Sequence, residues 1–318
     1  RPFTVMSCDN IQPNGHVLKK MLLAYIELFD QAFATWVDEN VSFPNSMVDR
    51  ITPATTNEDI ATLRAQGVED AWPVVCEPFD QWVIEDDFCN TKPCLDLVGA
   101  QFVSDVAPYE KLKLRMLNAG HSVLGLVGSV AGLETIHESV EAKQLKRLLS
   151  IFMEQEVMPT LDPVEGIDVY EYRDTLLSRF SNPFIKDTLA RICLESSAKL
   201  PVFLFPTVRD NLAANRDTDI SALVVACWAF YSDRHASQDG KSLEINDVLA
   251  DKLHNAASNN QIDSLSFLML EEVFGKLVDE ARFTASFQGF VERLYQQEPV
   301  LLISEKVANN KLELARAC

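Results

Sequence analysis

Hydrophobic and polar positions alternate in two different rhythms along this chain. Residues 3–8, "FTVMSC", are apolar and β-prone and stop at the turn-forming "DN", which predicts a short buried strand. "IQPNG" predicts a loop in which Gly15 supplies positive φ. Over residues 17–40, Leu18, Met21, Leu22, Tyr25, Ile26 and Phe29 recur at spacings of three and four, the signature of a helix with one buried face. "VSFPNSMVDRITP" predicts a second strand-like piece, broken by Pro44 and closed by Pro53. A short helix is expected over 57–66, where Asn57 can cap and Glu58 and Asp59 suit the positive helix end. "WPVVCEPFDQWVIED" is the third extended region, rich in Val, Trp, Phe and Ile.

After about Ser104 the rhythm becomes helical. Residues 110–156, 170–179, 183–198 and 218–231 carry helical periodicity, as do much of 247–254 and 264–297. Short loops such as "TLDPVEG" and "RFSNP" separate them. "GLVGSVAG", with Gly125, Gly128 and Gly132, follows no strand and reads as close helix packing. No internal repeat or low-complexity tract is present. The pattern predicts a strand-containing region over 1–104 and an all-helical region over 105–318, mainly α overall.

Charge narrows the partners. Forty-seven acidic against 28 basic residues give a formal net charge of −19. Such a surface repels nucleic acid and anionic membrane, and no dense Lys/Arg run offsets it, so neither is an expected partner. No run of about 18 apolar residues suggests a membrane span, and no signal-peptide pattern is found. The seven cysteines are an odd number, which suits a reducing compartment and hence a cytoplasmic location. "CNTKPC" (Cys89 and Cys94) is half of a zinc pattern, but no second Cys/His pair completes it, so no metal is expected.

The segment "KLKLRMLNAGHS", residues 111–122, places Lys113, Asn118 and His121 in an otherwise apolar stretch. At 100° per residue, Asn118 falls about 140° and His121 about 80° round from Lys113, within one broad helix face. A solvated stripe would look the same. The residue types suit a proton-and-hydride reaction at a carbonyl carbon. A lysine of lowered pKa takes the hydroxyl proton. Amides donate to the oxygen as charge develops, and a histidine orients a neighbouring hydroxyl.

Five blocks stand in a telling order: "FTVMSCDNIQPNG", "VSFPNSMVDRITPATT", "DAWPVVCEPFDQWVIEDDF", "YEKLKLRMLNAGHS" and "LLSRFSNPFIKDTLARICLESSAKLP". In that order the chain resembles the polyol-specific long-chain dehydrogenases, the mannitol 2-dehydrogenases in particular, with the fructuronate (mannonate) reductases near them. The resemblance runs from Phe3 to about Tyr231 and, more faintly, through "LEEVFGKL". It implies that residues 1–104 are the C-terminal part of a Rossmann-type cofactor domain and that 105–318 form an all-helical substrate domain.

The resemblance also implies roles. The lysine of K-x4-N-x2-H, Lys113, would be the general acid/base. Asn118 and the Asn10 of "SCDN" would flank the reacting oxygen, and His121 would help hold the substrate. Asp49, after "FPNSMV", would line the site near the nicotinamide. Arg191 and Lys199 would contact the sugar chain, and Glu110 would stand on the proton's exit route. Each has an ordinary structural alternative: a turn former at Asn10, an Arg50 partner at Asp49, an exposed helix-start acid at Glu110, a solvated face for Arg191 and Lys199.

One departure is "ESS" (Glu195-Ser196-Ser197), where the family pattern has an acid followed by glycine. It is expected to narrow the site or shift the backbone. The glycine-rich pyrophosphate turn of dinucleotide-binding folds is not found, so the chain looks like the latter part of a dehydrogenase. The implied activity is an NAD- or NADP-dependent interconversion of a polyol and a ketose, D-mannitol and D-fructose first, without a metal. The alternatives are a fructuronate reductase and a non-catalytic sugar-binding remnant.

Overall fold

The computed structural model describes residues 1–237, 239–297 and 302–308. The expected region over 105–318, with Cys318, therefore ends outside the described residues. By compactness the chain forms two units, Arg1–Lys113 and Leu114 onward.

The first unit holds α1 (Asn14–Glu27), α2 (Gln31–Asn40), β1 (Ser46–Asp49), α3 (Asn57–Ala65), β2 (Gln81–Glu85), β3 (Gln101–Val103) and α4 (Ala107–Lys113). The sheet order is β1-β2-β3. β1 pairs antiparallel with β2, Met47 opposite Val83, and β2 pairs parallel with β3, Ile84 opposite Phe102. Val83 and Ile84 on the central strand are fully buried. A second cluster forms where Val37, Val41 and Phe43 meet Val5, Leu18, Leu22, Leu23 and Ile26. Leu18, Leu22 and Ile26 are the part of the expected apolar face that packs; Met21, Tyr25 and Phe29, read onto the same face, are exposed.

Three expectations need correction here. Residues 3–8 are not a strand: Phe3 is exposed, and Val5 N–H donates to the Ser42 carbonyl (3.0 Å) without a ladder forming. β-propensity describes a fit to a paired, half-buried surface, which this segment does not find. The helix over 17–40 is two helices, because the Asp30 side chain accepts from Phe33 N–H (2.9 Å) and starts α2. Thr56, not Asn57, caps α3, in a reciprocal capping box with Asp59. The strand β3 was not foreseen; at three residues it is too short to show alternation.

The second unit holds α5 (Ala119–Val130), α6 (Ile136–Glu141), α7 (Lys143–Ile151), α8 (Val169–Phe180), α9 (Leu189–Cys193), α10 (Ser196–Phe203), α11 (Phe205–Ala213), α12 (Asp219–Arg234), α13 (Ala250–Ser258), α14 (Glu271–Phe274) and α15 (Ala281–Gln296). A further helix covers 302–308. α5 and α12 are apolar nearly all round, so they can only be stable in an interior, where they pack on each other. α13 and α15 cover α12. Trp228 of α12 stands edge-on to Phe267 at 5.1 Å between ring centroids, and Phe274 lies 5.6 Å away. Among the described residues no helix is long and apolar enough to cross a membrane.

The continuous helical stretch expected over 110–156 is interrupted. Leu114–Asn118 and Phe152–Val157 are π-helical, and the loop after α5 turns through Gly132 at φ 85°. The uniform 100° step assumed for residues 113–121 does not hold, since a π turn takes an extra residue. Gly125 and Gly128 do serve close packing. A Cβ on Gly125 would lie 2.7 Å from Ile192 Cγ2, and one on Gly128 would lie 2.6 Å from Ser139 Oγ and 2.9 Å from Leu189 Cδ1. The two glycines let α9 seat against α5.

Candidate active site

In the first unit the site is built around the loop that carries Asn10. Asn14 is buried, and its amide donates to the Asp9 carbonyl (3.1 Å) and the Ser46 carbonyl (2.8 Å) while its Oδ1 accepts from Ser46 N–H (2.9 Å). One side chain thus ties the loop to the start of β1. Asn45 complements it by accepting from Gly15 N–H (2.9 Å) and His16 N–H (3.2 Å) and donating to Glu85 (3.0 Å). Gly15 is needed for close approach, not for the positive φ expected of it: a Cβ there would lie 2.4 Å from the Phe43 carbonyl oxygen.

Into this frame α4 delivers Lys113, which is 6% exposed. Its Nζ donates to Asn10 Oδ1 at 2.6 Å and to the Val48 carbonyl at 2.9 Å. An ammonium group has donors only, so Asn10 must turn its oxygen toward it. The amide NH₂ of Asn10 is thereby left facing the other way as a donor. Asp49, next to Val48 in β1, is buried. One helical turn before Lys113, Glu110 is also buried, and its Oε2 accepts from Gln12 Nε2 at 2.9 Å. Burial pushes the Glu110 carboxyl above its usual range; the Gln12 hydrogen bond pulls against that, and Glu85 adds to the rise.

In the second unit, the π turn ends at Asn118, whose Oδ1 is buried with no hydrogen-bond partner among the described residues. The His121 ring lies 4.5 Å from that of Phe180. Arg191, on α9, clasps Asp187 through Nε (2.5 Å) and Nη2. Lys199 Nζ donates to the Ile192 carbonyl at 3.2 Å. Burial lowers the Lys199 pKa, and the Arg191 charge lowers it further.

The "ESS" departure is absorbed locally. Glu195 takes the left-handed conformation, φ 51°, and Ser196 turns its hydroxyl back onto the Cys193 carbonyl (2.9 Å). Ser197 instead donates to Asp247 at 2.5 Å. The histidines outside the motif have structural partners: His137 and His254 meet the carbonyls of Ser181 and Ser232.

The first unit therefore brings Lys113 and Asn10 into contact, while in the second Arg191 is held by Asp187 and Lys199 by the carbonyl of Ile192, the residue after Arg191. Sequence reasoning missed Gln12, the Val48 carbonyl and Asp187. Gln12 and Asp187 stand in quoted blocks, yet nothing in their spacing marks a partner 98 residues away or a clasp on Arg191. Main-chain carbonyls leave no trace in a sequence at all.

Residues 105–295 match the family model described as the mannitol dehydrogenase C-terminal domain, and residues 1–97 match the mannitol dehydrogenase Rossmann domain. The chain belongs to the mannitol dehydrogenase family. It is 41% identical over 308 residues to the Saccharomyces cerevisiae protein described as mannitol dehydrogenase DSF1, covering 96% of this chain and 61% of that protein. It is also 41% identical over 299 residues to a mannitol 2-dehydrogenase of Phaeosphaeria nodorum, covering 92% of this chain and 52% of that one. Among solved structures, Pseudomonas fluorescens mannitol 2-dehydrogenase in a ternary complex with NAD and D-mannitol superposes with a TM-score of 0.86. The identity is 39%, over 96% of this chain and 62% of that chain. A substrate-free D-sorbitol dehydrogenase gives the same TM-score at 34% identity, over 93% of this chain and 61% of that one. The chain thus spans about three fifths or less of the length of these family members.

Proposed function

We propose that this chain carries the acid/base and substrate-handling part of an NAD- or NADP-dependent polyol dehydrogenase that interconverts D-mannitol and D-fructose. On this reading residues 1–104 are the C-terminal part of a Rossmann-type cofactor domain and 105–318 are the helical substrate domain. The observation that carries it is the buried Lys113 ammonium held by Asn10 Oδ1 and the Val48 carbonyl. The family membership supports it.

The residues present fit the reacting end of a nicotinamide coenzyme better than its pyrophosphate. Dinucleotide folds cradle the pyrophosphate on helix N-terminal N–H groups. At the start of α1, the N–H groups of Gly15 and His16 are already taken by Asn45. A nicotinamide coenzyme, when bound, supplies the hydride acceptor. The chain's own residues handle the proton. Neutral Lys113 takes the hydroxyl proton of the polyol as the C–H bond breaks, and in reduction its ammonium returns that proton to the carbonyl oxygen. Asn10, its oxygen turned to Lys113, offers its NH₂ to the same oxygen, and Asn118 offers a second amide; preorganised donors of this kind contribute about 3–4 kcal/mol each. His121, Arg191 and Lys199 hold the other hydroxyls, Asp49 lines the nicotinamide side, and Glu110 passes the proton onward. The chemistry calls for no metal.

The test is turnover of D-mannitol with NAD⁺ and NADP⁺, followed by nicotinamide absorbance, in wild type and Lys113→Ala. Wild type should turn over, and the variant should lose about 10²–10⁴-fold with its circular dichroism unchanged. Undiminished turnover in Lys113→Ala removes the lysine from the mechanism, and a wild type that neither turns over nor binds D-mannitol removes the polyol reading. The cations Arg191 and Lys199 also suit a substrate carboxylate. Fructuronate assayed beside fructose on the same preparation discriminates the two substrates.

A further inference from the structure

Gln12 is exposed, yet its placement is specific. It stands two residues after Asn10, in the loop that Asn14 ties to β1. Its side-chain Nε2 reaches Glu110 Oε2 at 2.9 Å, across 98 positions of sequence. The same loop therefore sends one amide to Lys113 and a second to Glu110, the two ionisable residues one turn apart on α4. The backbone does not demand this second contact. Gln12 is exposed, and the loop is already held by Asn14 and Asn45.

The surroundings of Glu110 explain what such an amide does. Its carboxyl is faced by Glu85 on β2 and Asp105 ahead of α4, both of which disfavour its negative charge, and by Lys113 on α4, which favours it. Burial disfavours the charge most. Against these, Gln12 contributes a neutral N–H donor that does not titrate and that favours the ionised carboxylate. It also fixes which oxygen of Glu110 is engaged. With one Oε2 lone pair engaged by Gln12, Oε1 keeps both of its lone pairs for exchanging a proton.

We propose that Gln12 is a positioning residue for the proton relay: its amide holds the Glu110 carboxylate ready to receive the proton that Lys113 takes from the substrate. In the step, an N–H bond of the Lys113 ammonium breaks and an O–H bond forms on Glu110, directly or through water. The neutral amine is restored, and the proton then leaves Glu110 for solvent. No electron moves, so no further reactant is needed. The proposal rests on the function proposed above and names a residue that reading does not use.

The test replaces Gln12 by Met, similar in length and without a donor, and by Glu. The pH dependence of kcat/KM for D-mannitol oxidation is measured for wild type, Gln12→Met, Gln12→Glu and Gln12→Met combined with Glu110→Gln. A carboxyl titration of Glu110, by infrared difference spectra against Glu110→Gln, runs in parallel and needs no turnover. Gln12→Met is expected to move the acidic limb and the Glu110 carboxyl signal together to higher pH. Turnover on the acid side should fall roughly three- to ten-fold, the size of one ordinary net hydrogen bond, since the Gln12 donor is exposed. Gln12→Glu is expected to move both further, because it adds a like charge, and the Gln12→Met effect should vanish when Glu110 is already Gln. A merely structural Gln12 would change the melting temperature and leave the limb in place. Superimposable pH profiles and an unmoved Glu110 signal overturn the proposal. A wild type that neither turns over nor binds D-mannitol strikes the dehydrogenase reading instead, and the carboxyl titration then still decides whether Gln12 governs Glu110.

Discussion

Replacing Gly15 by Ala sets two effects of opposite sign against each other. Gly15 is the second residue of α1, and its φ is not in the left-handed region, so alanine fits the backbone and adds at most about 1 kcal/mol of helix propensity. The added Cβ, however, would meet the Phe43 carbonyl oxygen at 2.4 Å, the Pro44 oxygen at 2.5 Å and the Pro44 carbon at 2.7 Å. These are backbone atoms and cannot rotate away. To reach even 3.0 Å, the Phe43 carbonyl must retreat by about 0.6 Å. That movement disturbs buried Phe43 and loosens the bonds from Gly15 and His16 N–H to Asn45. Overpacking of this kind costs about 1–3 kcal/mol, and two weakened hydrogen bonds cost about 1 kcal/mol each. The steric side wins, with a net loss of about 2–4 kcal/mol. Urea unfolding followed by tryptophan fluorescence measures it, because Trp36, Trp72 and Trp82 all belong to the first unit. The midpoint should drop by roughly 1 M for a unit of this size. A midpoint that stays put or rises would falsify the close-approach argument, leaving helix propensity as the larger effect.

The same reasoning gives the opposite sign at Gly289, inside α15, where an added Cβ meets nothing within 4 Å. Gly289→Ala should stabilise by about 0.5–1 kcal/mol in a thermal melt. Gly128→Ala should destabilise by about 1–3 kcal/mol, as its Cβ runs into Ser139 and Leu189, with the loss read from the urea midpoint. Glu156 is buried and accepts from Ile220 N–H (2.6 Å) and Ser221 N–H (3.0 Å) at the start of α12, and burial pushes its pKa up to about 8. A carboxyl that holds its proton more tightly folded than unfolded takes up a proton on folding, so stability falls as pH rises from about 4.5 to about 8. Glu156→Gln should flatten the melting temperature across that window; a slope identical to wild type would assign the pH dependence to other groups.

The Lys113–Asn10 pair of the candidate site was legible in the sequence, for a chemical reason. Lysine, asparagine and histidine stand out when they interrupt an apolar stretch, and the order of "SCDN", "FPNSMV" and K-x4-N-x2-H survives in any reading of the chain. Composition and periodicity also determined a strand-containing first region and a helical second one, since burying α5 and α12 leaves an apolar pattern all round each helix. What the pattern could not carry is whatever depends on partners distant in sequence. Residues 3–8 have strand propensity and no ladder, and three-residue β3 pairs with β2 while showing no alternation. The hydrophobic count ran straight through Asp30, whose capping bond splits one expected helix into two. Only the tertiary structure decided that Gly15 is a point of contact instead of a turn, that Asn10 turns its oxygen to Lys113, and that Gln12 meets Glu110. Periodicity records which face of an element is buried; it does not record which donor a folded chain aims at which acceptor, and that aim is what turns polar residues into a site.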